Sequence, residues 1–162
     1  MSEDYARLAD HYELPLSDGT VLYLKNQLTP RIKANYQTWL MGNARREVFD
    51  MAPREPSGDI EIDKRRMQDF DLAYARFQSA VASGTFKWGG QCCLESLNQM
   101  PGLIKMVELL AAACGKTQLT SDRCGQLFKS MATVKLVTSA IKDIMESSPN
   151  FLVPPEMEPE KQ

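Results

Sequence analysis

Asp59-Ile60-Glu61-Ile62-Asp63-Lys64-Arg65-Arg66-Met67-Gln68-Asp69-Phe70-Asp71-Leu72-Ala73-Tyr74-Ala75-Arg76-Phe77-Gln78-Ser79-Ala80-Val81-Ala82-Ser83 reads as one long helix. Its apolar positions are Ile60, Met67, Phe70, Tyr74, Phe77 and Val81. From Met67 onward they are spaced 3-4-3-4, the interval that keeps side chains on one helical edge. Asp63 interrupts the seam one turn earlier. This pattern predicts a helix lying along another helix, either its own chain's or a partner's. Asp59 is placed to start it, and Gly84 to end it.

Working outward, Pro53, Pro56 and Ser57-Gly58 mark an internal linker at 52–58. Before it, Thr29-Pro30 predicts the start of a helix running to about Met51, with Ile32, Tyr36, Trp39 and Leu40 on one face. After Gly84, residues 85–90 read as a loop, followed by a helix from near Cys92 that stops or kinks at Pro101-Gly102. Leu103, Val107, Leu110 and Cys114 then form a helical stripe beside Ile104 and Met106. This most hydrophobic segment is the expected central core helix, with Gly115 as its stop. Thr120 to about Lys129 predicts a short helix, and 131–147 a last one with Val134, Val137, Ile141 and Ile144 on one face.

The N-terminal region differs. Residues 2–12 suggest a short helical turn. Glu13-Leu14-Pro15-Leu16, then Ser17-Asp18-Gly19-Thr20, then Val21-Leu22-Tyr23-Leu24, is a hairpin signal, because glycine accepts positive φ without a Cβ clash. The expected fold is therefore mainly α, a helical domain over 1–150 with a small N-terminal β-hairpin at about 13–25. Residues 151–162, rich in Pro and Glu, are expected to form a mobile acidic tail.

Chemistry is harder to find. The net charge of -2 gives no whole-molecule attraction to phosphates or anionic lipid. No apolar run approaches the length of a membrane span, and the first residues lack the pattern of a secretory signal, so the cytoplasm is the expected compartment. One histidine, His11, and four cysteines without CxxC spacing (Cys92, Cys93, Cys114, Cys124) predict no zinc site. Gly115-Lys116-Thr117 resembles the end of a phosphate-binding loop, but Leu110 stands where the motif needs glycine and a helix stands where it needs a strand. Asp59, Glu61 and Asp63 lack the glycine and terminal glutamate of a calcium loop, and acidic residues favour a helix start on electrostatic grounds alone. No nucleophile has a base and an orienting group at usable spacing. The chain is expected to be non-enzymatic and to need no cofactor.

Binding is the alternative to catalysis. Nine methionines give adaptable apolar surface, for a core first and for a partner second. Trp39 and Trp88 follow the same order, Trp88 lying in a Gly-flanked loop where large aromatics anchor neighbouring elements. Arg45, Arg46, Lys64, Arg65 and Arg66, with Arg31, Lys33 and Arg54 nearby in sequence, would gather around the 52–58 linker if the two long helices are antiparallel. A small nucleic-acid-binding or DNA-packaging adaptor is the reading this cluster supports.

Leu14-Pro15-Leu16-Ser17-Asp18-Gly19-Thr20-Val21-Leu22-Tyr23-Leu24-Lys25 ahead of a helical body resembles the opening of tail assembly chaperones of long-tailed bacteriophages. Lys116-Thr117-Gln118-Leu119-Thr120-Ser121-Asp122-Arg123-Cys124 is similar to the segment opening a late helix in that family, although Arg123 and Cys124 stand where an acidic residue and valine are usual. The resemblance implies a protein that coats a long helical tape-measure protein in the host cytoplasm and helps recruit tail-tube subunits, with self-association possible and no nucleic acid or membrane as partner. It makes Met67, Phe70, Tyr74 and Phe77, or the stripe of Leu103, Val107 and Leu110, candidate contact faces, with Trp88 as a further candidate.

Overall fold

Thr29 and Pro30 start the first helix as their chemistry dictates. Thr29 is extended, and its Oγ1 accepts from the Ile32 amide at 3.2 Å, while Pro30 occupies a first-turn position where no amide is needed. The computed structural model describes residues 11–16, 18–116, 119–148 and 155. Among them are a two-stranded antiparallel sheet, β1 (His11–Pro15) and β2 (Val21–Lys25), and six helices. These are α1 (Pro30–Asp50), α2 (Ile60–Ser83), α3 (Gln91–Ser96), α4 (Met100–Cys114), α5 (Ser121–Leu127) and α6 (Met131–Ser147). The fold is mainly α with an N-terminal hairpin, as the periodicities predict. The expected helical turn over 2–12 lies outside the described residues except at His11 and Tyr12, which are in β1. The expected tail at 151–162 also lies outside them, apart from Pro155.

The hairpin register runs from His11 opposite Lys25 to Pro15 opposite Val21. Leu14, Leu22 and Leu24 point into the core, with Leu16 just beyond the strand, and Tyr12 completes this face of the small sheet opposite Leu24. Gly19 has φ +86°, the left-handed conformation the turn requires. Arg123, in α5, donates to Asp18 Oδ2 at 3.2 Å and to Thr20 Oγ1 at 3.1 Å, tying the turn to a distant helix. The Asp18 carboxyl, also bonded by the Thr20 hydroxyl and amide, is held below the usual carboxylate range, chiefly by Thr20.

A two-stranded hairpin has no stability of its own. Here β2 lies on α4 and β1 on α6. Helix α4 also packs against α1 and α3, so it is the central element of the core. Leu103, Met106, Val107, Leu110 and Ala111 of α4 are buried, as are Val137, Ala140, Ile141 and Ile144 of α6. Ser148 closes the far end: its hydroxyl accepts from the Leu28 amide at 2.8 Å and donates to the Ile144 carbonyl at 2.6 Å.

The helix expected from near Cys92, to stop or kink at Pro101-Gly102, does stop, and a second helix follows it. The break comes at residues 97–99, before the proline, and Pro101 sits in the first turn of α4. The reason is a close approach. The Tyr36 hydroxyl of α1 meets Ser96 Oγ at 2.6 Å, and Ser96 Oγ also bonds the Cys93 carbonyl at 2.7 Å. Gly102 lies directly against this group: a Cβ there would stand 2.0 Å from the Ser96 carbonyl oxygen and 2.6 Å from the Tyr36 hydroxyl. Burial pushes the Tyr36 phenol up to about 12, so it is a neutral donor or acceptor at any physiological pH.

Two glycines in helices therefore have opposite consequences. Gly102→Ala is expected to lower stability by roughly 3 kcal/mol, because the Ser96 backbone must move, and the melting temperature by roughly 6–12 °C. Gly42→Ala, in α1 with nothing within 4 Å of the added carbon, is expected to raise stability by roughly 0.5–1 kcal/mol. Thermal unfolding followed by circular dichroism measures both.

Candidate protein-binding surface

Helices α1 and α2 form an antiparallel arm whose register is set by ring contacts. The Phe49 ring centroid lies 6.2 Å from that of Phe70 and 5.8 Å from that of Tyr74. The Arg45 guanidinium sits 6.0 Å from the centre of the Phe77 ring. The end of α1, Asp50, is thus level with residues 70–74 of α2. Residues 60–69 of α2, about 15 Å of helix at 1.5 Å per residue, run on past the end of α1. Among the described residues the 51–59 connection accompanies them, through the Ser57 amide, which donates to the two Asp63 carboxylate oxygens at 3.0 and 3.3 Å.

The sequence explains how this overhang stays helical. Asp59 Oδ1 accepts from the Glu61 and Ile62 amides, and Glu61 and Asp63 favour the positive end of the helix. The Ser57 hydrogen bonds, with the Arg66 charge as a smaller contribution, hold the Asp63 carboxyl below its ordinary pKa. These acids are therefore engaged in starting a helix. Among the described residues no group of His, Cys, Asp and Glu could hold a metal ion.

The overhang leaves apolar side chains in water. Ile60 is 82% exposed and Met67 48%, and Phe49, Met51, Ile62 and Leu72 are exposed to a similar degree as Met67. Fully burying one such side chain contributes roughly 1.5–3 kcal/mol. Six of them about half exposed or more therefore forgo a sum comparable to a small domain's net stability. Ile60, Met67 and Tyr74 recur every seven residues and share one edge of α2, which Phe49 continues beside Tyr74. Ile62, Arg65, Asp69 and Leu72, spaced 3-4-3, form a second exposed stripe.

The eight candidate contact residues divide sharply. Met67 is exposed, and Phe70 and Tyr74 are half-buried at the junction with Phe49. The other five belong to the core and are corrected to it. Phe77 is buried against Phe86, ring centroids 5.8 Å apart. Trp88 is 1% exposed, stands edge-on to Tyr36 at 5.6 Å, and its amide donates to Gln37 Oε1 at 3.0 Å. Leu103, Val107 and Leu110 are covered by the hairpin and α1. Sequence periodicity placed Ile60 and Met67 on the apolar positions of α2, but it did not single out Phe49, Met51, Ile62 and Leu72. Phe49, Met51 and Ile62 flank the Pro- and Gly-rich break, and that position was their one signal.

The basic residues do not gather as the antiparallel arrangement suggested. Arg45 is level with Phe77, whereas Arg65 and Arg66 lie 11–12 residues toward the tip, roughly 17 Å away along the helix. Lys33 is wholly buried and contributes nothing to a surface patch.

Other features have structural roles. The His11 ring is engaged by Glu13 at 3.1 Å, Lys116 at 3.1 Å and the edge of Tyr23, away from α3 and its cysteines. Gly115, φ +75°, caps α4, so Gly115-Lys116 ends a helix and follows no strand. A depression of about 530 Å³ between the end of β2, the start of α1 and the end of α4 is lined by Lys25, Thr29, Arg31, Ile32, Asn35, Leu109, Ala112 and Ala113, without an acid, imidazole or thiol. No described helix is long and apolar enough to cross a membrane. No family model, curated protein or solved structure matches the chain.

All four cysteines are free thiols. Burial pushes Cys93 and Cys124 up to about 11, which keeps them protonated as well as covered. In the native protein at pH 8 they are expected to resist an alkylating reagent that modifies the half-buried Cys92 and Cys114, and to react once denatured. Mass spectrometry of labelled peptides reads the difference.

Proposed function

We propose that this protein is a non-enzymatic, protein-binding assembly factor that covers apolar helical surface on a partner, acting as a phage tail assembly chaperone does on a tape-measure protein. The observation that carries the reading is the overhang of α2, where Ile60 and Met67, with Phe49 and Met51 at the end of α1, offer an apolar edge that no element among the described residues covers. A helix lying beside that edge would meet side chains at seven-residue intervals, the geometry by which amphipathic helices dock. Methionine suits a partner that presents many different apolar faces, because its unbranched side chain adapts to each. The resemblance of the hairpin opening to tail assembly chaperones supplies the partner class: a long helical tape-measure protein, with tail-tube subunits recruited afterwards, in the host cytoplasm.

The exposed Lys64, Arg65 and Arg66 support a second reading, a nucleic-acid adaptor. Asp69 and Asp71 one turn away dilute that charge, so it ranks below protein binding. A salt-dependent shift of duplex DNA, lost on charge reversal of the three basic residues, would reverse the ranking.

Co-expression with the product of a very long neighbouring gene is expected to move that product from the insoluble to the soluble fraction. Ile60→Asp and Met67→Asp, at positions already in water, are expected to abolish this at least about tenfold while leaving helicity and melting unchanged. A partner that stays insoluble with the wild-type chain, or is solubilised equally by the variants, overturns the reading.

A further inference from the structure

The second stripe of α2 has a symmetry of its own. Ile62, Arg65, Asp69 and Leu72 are all exposed, on a side of the helix that α1 does not cover. Neither Arg65 nor Asp69 takes part in an ion pair among the described residues. Read in either direction the stripe is apolar, charged, charged, apolar at intervals of 3-4-3, and the charges change sign on reversal. A second α2 laid antiparallel across it, with its midpoint at Met67, places Ile62 opposite Leu72 twice and Arg65 opposite Asp69 twice. These are the opposed core positions of an antiparallel two-helix coil. A parallel copy would set Arg65 on Arg65 and Asp69 on Asp69, so charge selects the antiparallel arrangement.

We infer that this stripe is a self-association site, and that two copies of the chain pair through α2 about a two-fold axis that passes between the helices midway between Arg65 and Asp69. The contact is isologous, so it closes at a dimer and does not propagate. Its length is limited: Gly58, φ +89°, precedes the helix at the position that would oppose Arg76, which leaves four layers of side chains. Four layers fall short of a standard protein interface, so the dimer is weak and, with two of its layers ionic, sensitive to salt. The Ile60–Met67–Tyr74 edge lies on the opposite side of α2 and remains open, so the inference stands whether or not a partner binds there.

Sedimentation velocity of the purified chain tests it. At about 500 µM protein and about 20 mM salt the wild type is expected to dimerise, and to dissociate on raising the salt. Arg65→Asp makes both central charges acidic and Asp69→Arg makes both basic. Each variant alone is expected to be monomeric, with dimerisation weakened at least about tenfold. An equimolar mixture of the two is expected to form heterodimers, a rescue that no effect within one helix can produce. Circular dichroism of each variant shows that it is folded, and Leu72→Lys provides an independent loss of pairing. A wild type monomeric under these conditions, a dimer indifferent to the substitutions, or a mixture that stays monomeric overturns the inference.

Discussion

The contact on which the rest of the core depends is the approach of α4 to the Ser96 carbonyl and the Tyr36 hydroxyl. It is possible only because residue 102 has no side chain. That approach brings α1, α3 and α4 to one point and orients Tyr36, against which Trp88 stands edge-on and Trp39 tilts. With α4 held there, it also receives β2 of the hairpin. Every polar atom in the group has a partner, so the cost of burying hydroxyls is offset locally. The loop at 84–90 serves the same point, delivering Trp88 and Phe86 inward from a chain reversal begun at Gly84.

The arm obeys a different economy. Along its inner part, α1 and α2 are matched through Phe77, Arg45 and the Phe49–Phe70–Tyr74 group. Beyond Asp50 the match ends, and α2 continues without a helical neighbour among the described residues. Capping and first-turn acids sustain the helix there, but they cannot cover its apolar side chains. The two ends of the molecule differ accordingly: one buries Trp88, Tyr36 and several leucines, and the other leaves Ile60 and Met67 exposed.

Much of the fold was legible in local chemistry. Thr29, Asp59, Thr120 and Ser130 each cap the helix they precede, and Gly84 and Gly115 each take the left-handed conformation that ends one. Hairpin and helix boundaries follow from such signals because they act over a few residues. What sequence could not give was which apolar face meets which. The stripe of Leu103, Val107 and Leu110 looks the same whether the hairpin covers it or a partner does, and the hairpin lies some 80 residues away in the chain. Likewise, the exposure of Ile60 follows from α1 stopping ten residues short of its neighbour. No periodicity within either helix contains that offset.

Ser148 carries a consequence for the order in which the chain can acquire its structure. Its hydroxyl joins the last turn of α6 to the Leu28 amide, 120 residues earlier, and β1 rests on the same helix. These two strands are therefore covered by helices that come much later in the chain. A hairpin of two five-residue strands cannot wait folded in water, so it must remain a mobile apolar segment until α4 and α6 have been made. The α1–α2 arm, built from neighbours in sequence, can form in the meantime. Covering the hairpin leucines thus depends on contacts between residues far apart in the chain, the kind that cost the most loop entropy to form.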